Sequence, residues 1–272
     1  MAAATTPEEH RRQVCESFAG AADARTAQIM TAAVEHLHAF VQEVGLTREE
    51  WMAGIRFLTA VGQRCDEVRQ EFILLSDTLG VSMLLELVDG SPAPGATEPT
   101  VLGPFHVPGA PHRRFGDSIV DDPSTGGEPL VLGGTVRDLD GRPVPGATLD
   151  IWQVQPNGLY DIEEDPGRRN LRGVFLADGE GRFEVRTVRP VDYTIPHDGP
   201  VGEMLRAAGR EPWRPAHIHM AVDAPGYKKL VTHVFDRASR HLGADAVFGV
   251  RPSILASMDG GECRFDPVIE KV

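Results

Sequence analysis

A chain of 272 residues, 41% of them apolar, can bury a large core without disulfide or metal staples, enough for one large domain or a domain with an appendage. The formal net charge of −13, with no dense Lys/Arg tract to offset it, argues against nucleic acid as a partner. Cys15, Cys65 and Cys263 are widely spaced without a CxxC pair, no apolar run is long enough to span a bilayer, and no secretory leader pattern is visible. The expectation is a cytoplasmic protein with free thiols and no membrane insertion.

From Pro7 to Asp89 the apolar residues recur at helical spacing. In "TREEWMAGIRFLTAVGQRC", Thr47 and Glu50 form a capping-box pattern, and Trp51, Ile55, Leu58 and Cys65 then return at intervals of four, three and seven. The next stretch, "QEFILLSDTLGVSMLLELVDG", is apolar on more than one side and suits a helix buried between neighbours or at a subunit contact. "SPAPGATEPT" ends the helical texture, which sets the boundary between a domain over 1–99 and a second over 100–272. Beyond it come short β-like runs broken by turn chemistry. "LVLGGTV" and "ATLDIWQV" flank "RDLDGRPVPG", "VFLA" and "RFEVRTV" flank "DGEG", and "AHIHMAV" and "KLVTHVF" flank "DAPGY". Read as successive hairpins, they predict an antiparallel sandwich or barrel, with one short helix in "VGEMLRAAG", residues 201–209, closed by Gly209.

The chemistry-bearing candidates lie in this second region. On a strand, His217 and His219 of "RPAHIHM" share a face while Ile218 points the other way, so the two imidazoles can hold one metal; a pair of half-exposed polar residues has the same pattern. Cysteine and acidic ligands are missing nearby, which weighs against structural zinc, and Asp223 could complete a two-histidine, one-carboxylate Fe(II) site. The chain has only three tyrosines: Tyr160 after a strand and turn, Tyr193 in a proline-flanked segment, and Tyr227 in an ordinary turn.

The stretch "LGGTVRDLDGRPVPGATLDIWQVQPNGLYD", residues 132–161, resembles the signature of the intradiol ring-cleavage dioxygenases, and "DYTIP", "RPAHIH" and "RQEFILLSDTLGVS" are similar to segments of the catechol 1,2-dioxygenase branch. The resemblance covers nearly the whole chain. It implies a mainly β fold, an antiparallel β-sandwich catalytic domain with an α-helical N-terminal dimerisation domain, and one non-haem Fe(III) held by Tyr160, Tyr193, His217 and His219. Hard anionic phenolates favour ferric over ferrous iron, and imidazoles complete the set. The resemblance further implies that Tyr193 is the ligand displaced by substrate while Tyr160 stays, and it gives Arg214 a place beside the ring, where a permanent cation would stabilise developing charge. The implied partners are a small aromatic diol or triol, dioxygen, a second copy of the chain in a homodimer, and a phospholipid in the helical contact.

Where catechol-cleaving relatives carry "TQI" this chain has "THVF", so His233 replaces a glutamine near the ring and joins Arg214 and Tyr193 among the expected catalytic residues. That departure resembles the hydroxyquinol 1,2-dioxygenase branch, which cleaves benzene-1,2,4-triol to 3-hydroxy-cis,cis-muconate, a tautomer of maleylacetate; catechol and chlorocatechol are the alternative substrates. By the same resemblance, Leu74, Asp77, Val101, Leu102, Gly103 and Met220 are expected to touch the ring, with Asp77 an acceptor for the third hydroxyl. Two readings of other classes stand beside this one: an Fe(II) or zinc enzyme using His217, His219 and a carboxylate, and a β-sandwich binding module without chemistry. Colour separates them, because tyrosinate bound to Fe(III) is red.

Overall fold

The structure is a computed structural model describing residues 5–89 and 92–272, so Ser91, at the head of the expected linker, lies outside the described residues. The chain divides into two compact units, one reaching Thr59 and the other running from Ala60 to Val272. This division falls well before residue 99: the change of texture marks where helices give way to strands, whereas the helices after Ala60 belong to the same compact unit as the strands.

The first unit is helical. Helices α1 (Pro7–Glu16) and α2 (Ala24–Glu43) are each started by a side-chain cap, Thr6 in a capping box with Glu9 and Asp23 on the amide of Thr26. Helix α3 (Arg48–Gln63) starts at the expected capping box: the Glu50 amide donates to Thr47 Oγ1 at 3.2 Å and the Thr47 amide to Glu50 Oε2 at 2.9 Å. Neither α1 nor α2 has a buried residue, and Leu37, Phe40, Trp51 and Leu58 are among the large apolar side chains left exposed.

In the second unit, α4 (Glu71–Thr78) and α5 (Val81–Asp89) precede the strands. Strand β1 (Pro129–Thr135) lies between β5 (Arg182–Val188) and β11 (Glu262–Arg264) in a three-stranded sheet. The larger sheet has the order β10-β9-β8-β3-β4, from β3 (Thr148–Trp152), β4 (Arg172–Leu176), β8 (His217–Asp223), β9 (Leu230–Asp236) and β10 (Leu255–Ala256). Two short pairs complete the strands: β2 (Arg137–Asp138) with β12 (Val268–Ile269), and β6 (Tyr193–Thr194) with β7 (Trp213–Arg214). Leu130, Leu132 and Val185 of the smaller sheet share one buried core with Leu149, Ile151, Ile218, Met220 and Val222 of the larger. Each fully buried side chain of this size contributes about 1.5–3 kcal/mol.

Of the three expected hairpins only the β8–β9 one forms. The turns at "RDLDGRPVPG" and "DGEG" reverse the chain, but β1 and β3, and likewise β4 and β5, lie in different sheets, so these turns carry the chain across the core. Turn chemistry specifies a reversal without specifying whether the next strand pairs or crosses. Three pairings are parallel, β1–β11, β9–β10 and β2–β12, all made by the last short strands. The expected short helix is α7 (Pro200–Ala207). It ends in a Schellman turn: Gly209 has φ +65°, its amide donates to Arg206 O at 3.1 Å, and the Arg210 amide donates to Leu205 O at 2.9 Å.

Candidate active site

Alternation along β8 separates two functions. Ile218, Met220 and Val222 enter the core between the sheets, and His217, His219 and Ala221 face the opposite side. A register slip of one residue would exchange the two sets, so core burial fixes the direction of the histidines. Trp152, His219 and His233 are cross-strand neighbours on β3, β8 and β9, and their rings follow one another at centroid distances of 4.7 and 4.2 Å.

Tyr160 enters from the segment after β3 and starts the short helix α6 (Asp161–Glu164), its amide donating to Glu163 Oε2 at 2.8 Å. The next residue anchors it: Asp161 is buried against the equally buried Arg172, whose Nε donates to both carboxylate oxygens at 3.1 and 2.8 Å. Phe105 stacks on the Tyr160 ring at 4.7 Å. Tyr193 comes from the other direction, on β6, directly opposite Arg214 of β7.

Four donor atoms meet here. Tyr160 Oη lies 2.9 Å from His219 Nε2 and 3.1 Å from Tyr193 Oη, and His217 Nε2 lies 3.2 Å from His219 Nε2. A metal ion with bonds of about 2.0–2.1 Å holds adjacent ligand atoms about 2.9–3.4 Å apart, so this spacing fits one ion. His217 Nδ1 donates to Pro215 O at 2.7 Å, which leaves the Nε2 lone pair for a metal. His233 brings a third ring, the three histidines offering nitrogens within 4.8 Å of one another; its Nδ1 lies 2.5 Å from Thr100 Oγ1. Asp223, the possible carboxylate ligand, is exposed at the end of β8. Four residues of strand put it about 13 Å from His219.

The surroundings favour neutral imidazoles. Burial and then the Arg214 charge push His217 well below the ordinary imidazole range, and burial, His217 and Arg214 do the same to His219. Burial and the Tyr193 phenol push Tyr160 well above the ordinary phenol range; burial raises Tyr193 too, while Arg214 pulls it back. Both phenols therefore favour their protonated forms, whose protons only a multivalent cation bound between them would displace. Arg214 Nη1 lies 3.4 Å from Tyr193 Oη, and its Nε donates to Asp245 Oδ1 at 3.1 Å. Burial opposes the guanidinium charge, but Asp245 and the two phenols outweigh it and move its pKa up.

Leu74, Asp77, Val101 and Gly103 line a narrow pocket together with Tyr160, Tyr193, Arg214 and His219. Gly103 has φ +78° and a Cβ there would sit 3.3 Å from His219 Cε1, so only glycine lets this loop pass the ring without strain. Asp77 is 3% exposed; burial raises its pKa, with Ser82 and Arg214 opposing. Two expected pocket residues lie elsewhere. Met220 is a core residue, because its even position on β8 turns it away from the histidines, and the Leu102 side chain is 40% exposed. The structure adds Phe105, Ile195, Pro196 and Val247 to the lining and Asp245 behind Arg214. Their signals were in "VLGPF", "DYTIP" and "DAVFGV", but no side-chain periodicity marks loop residues as pocket walls. A wider cleft of about 640 Å³ adjoins the pocket through Phe105, Tyr193, Ile195 and Pro196, with Asp66, Arg69, Glu163 and Asp198 among its charged groups.

A β-rich unit with a buried histidine cluster and two facing phenols under a pocket defines a metal-site enzyme of the dioxygenase class. Residues 101–265 match the dioxygenase family model and residues 23–97 match the catechol dioxygenase N terminus. The chain belongs to the intradiol ring-cleavage dioxygenase family. It is 51% identical over 245 residues to the 6-chlorohydroxyquinol 1,2-dioxygenase of Cupriavidus pinatubonensis, covering 90% of this chain and 88% of the relative. The hydroxyquinol 1,2-dioxygenase of a Rhizobium species is 48% identical, covering 86% and 79%. Among solved structures, the hydroxyquinol 1,2-dioxygenase of Pseudomonas putida DLL-E4 superposes with a TM-score of 0.90 at 46% identity, covering 98% of this chain and 99% of that one.

Proposed function

We propose that the chain cleaves the ring of benzene-1,2,4-triol with dioxygen between its two adjacent hydroxylated carbons, giving 3-hydroxy-cis,cis-muconate, the tautomer of maleylacetate. The observation that carries this reading is the meeting of two phenol oxygens and two imidazole nitrogens, 2.9–3.2 Å apart in sequence, under a pocket with Asp77 in its wall. The two relatives above, which carry the hydroxyquinol name at 48–51% identity, support the triol over catechol or a chlorocatechol.

Tyr160, Tyr193, His217 and His219 are the residues that would hold one non-haem Fe(III). Bound there, ferric iron supplies the Lewis acidity that lets two adjacent substrate hydroxyls bind as a dianion and the ring react with dioxygen. As a phenolate, Tyr193 Oη would take a proton from an incoming hydroxyl, because burial raises its affinity for protons while Arg214, 3.4 Å away, tempers it. Arg214 then faces the ring as charge develops on it. Asp77 accepts from the third hydroxyl, Leu74 and Val101 exclude water, and His233 supports the His219 ring. The apolar side chains exposed on α2 and α3 suit a homodimer contact that can take up a phospholipid, with the helices before Ala60 serving assembly while α4 and the strands serve catalysis. The three free cysteines suit the cytoplasm.

The nitrogens of His217, His219 and His233 within 4.8 Å also support a second reading, a three-imidazole zinc or Fe(II) site. Ring cleavage of benzene-1,2,4-triol, catechol and 4-chlorocatechol, measured beside metal content and the visible spectrum, tests both. A red iron protein that prefers the triol supports the proposal. A colourless protein with stoichiometric zinc or Fe(II) supports the second reading.

A further inference from the structure

The pocket has two walls that no strand pairing connects. One is α4, which contributes Leu74 and Asp77; the other is the irregular segment 245–249, which contributes Val247. From inside the protein, Asp245 organises the second wall: its Oδ2 accepts the Gly249 amide at 2.8 Å and its Oδ1 the Val247 amide at 3.3 Å. The Arg210 side chain joins the walls from outside. Arg210, delivered by the Schellman turn of α7, donates from Nη1 to Thr78 O at 2.6 Å and from Nη2 to Ala246 O at 2.9 Å. Those carbonyls belong to the residues next to Asp77 and Val247. The guanidinium also lies 4.7 Å from the centre of the Phe248 ring, which rests against Gly80, just past the end of α4.

Phe248 makes this clasp consequential. It is not glycine, yet it has φ +61°, in the left-handed region that bulky side chains avoid, and 46% of it is exposed. Ring burial therefore contributes little to holding a conformation that the backbone disfavours; the Phe248 amide donating to Asp245 O at 3.1 Å, Arg251 Nη1 donating to Phe248 O at 3.1 Å, and the contacts to Arg210 and Gly80 hold it. We propose that Arg210, which does not line the pocket, is a positioning residue that fixes the separation of the Asp77 and Val247 walls and thereby the preference for a trihydroxylated over a dihydroxylated ring. The inference rests on the triol reading above. A hydroxyl must meet its acceptor within hydrogen-bond distance, so a wall free to shift by an ångström loses the third hydroxyl while still admitting a ring that lacks it.

The test compares wild type with Arg210→Met, which keeps the stem and removes every donor, and with Arg210→Lys, which keeps a charged donor group but not the planar fork that reaches both carbonyls, on benzene-1,2,4-triol and catechol. For the methionine variant the KM for the triol rises about tenfold while kcat/KM for catechol stays within about twofold, and lysine falls between, as expected for loss of hydrogen bonds felt by one substrate only. Anaerobic equilibrium binding of the triol weakens in parallel, and the iron content and visible band of the substrate-free protein do not change. Should Arg210→Met fail to fold, Arg210→Lys carries the same comparison. A folded variant whose triol-to-catechol ratio equals that of wild type, or in which both substrates decline together, overturns the inference. Wild-type protein that neither binds nor cleaves the triol overturns the function reading instead.

Discussion

In the helical unit neither α1 nor α2 buries a residue and Leu37 is 62% exposed, whereas every residue of β8 but Asp223 is buried. The helices carry apolar faces that their own unit does not cover. The sheets close a core of their own and still bury polar groups, among them His217, His219, His233 and Arg214. Uncovered apolar faces point to association, and buried polar groups point to chemistry, because each costs stability unless something binds it. The two units should therefore respond independently to substitution.

The largest effect is expected in the sheet unit. His219→Ala removes a donor between Tyr160 and His217, and should abolish iron binding, colour and activity, the last by about a thousandfold or more, with the subunit assembly unchanged by light scattering. Arg214→Met comes next. Turnover of the triol should fall by about two to three orders of magnitude with iron retained, as for loss of a preorganised charge donor. Wild-type-like kcat in that variant would remove Arg214 from the mechanism.

Acid sharpens the comparison without a mutation. Burial depresses the pKa of His217, His219 and His233 in the folded protein, so below the ordinary imidazole value near 6.5 the unfolded chain binds protons that the folded chain refuses. Stability is then fully present above about pH 6.5 and is lost as pH falls. For metal-free protein the slope approaches at most about 4 kcal/mol per pH unit, the limit for three protons. Thermal midpoints of chelator-treated protein between pH 8 and 5 check this, and a flat profile would contradict it. The smallest effect on catalysis belongs to the helical unit: Leu37→Glu with Phe40→Glu on α2 should turn the proposed dimer into a monomer while kcat stays within about twofold. A variant that remains dimeric excludes that face from the contact.

How much of this was legible in the sequence differs along the chain. His217 and His219 could be assigned to one face because strand periodicity is strict, and the same rule, applied to Met220, would have sent it into the core. Thr47 and Glu50 announced α3 because a cap is a local device. The crossings at "RDLDGRPVPG" and "DGEG" were not legible, since a turn does not encode which sheet receives the next strand. Nor were Asp245 and Arg210, whose roles depend on partners such as Arg214 and Thr78 that lie 31 and 132 residues away. The motifs of the resemblance carried the phenols, which no spacing rule brings to the histidines.

The most direct test of the account is an anaerobic titration of the iron-loaded protein with benzene-1,2,4-triol, followed by visible absorption. The account predicts a red protein whose tyrosinate band shifts at one equivalent of triol, and a Tyr193→Phe variant whose band is altered before triol is added. A colourless protein, or a band indifferent to both the triol and Tyr193, would contradict it.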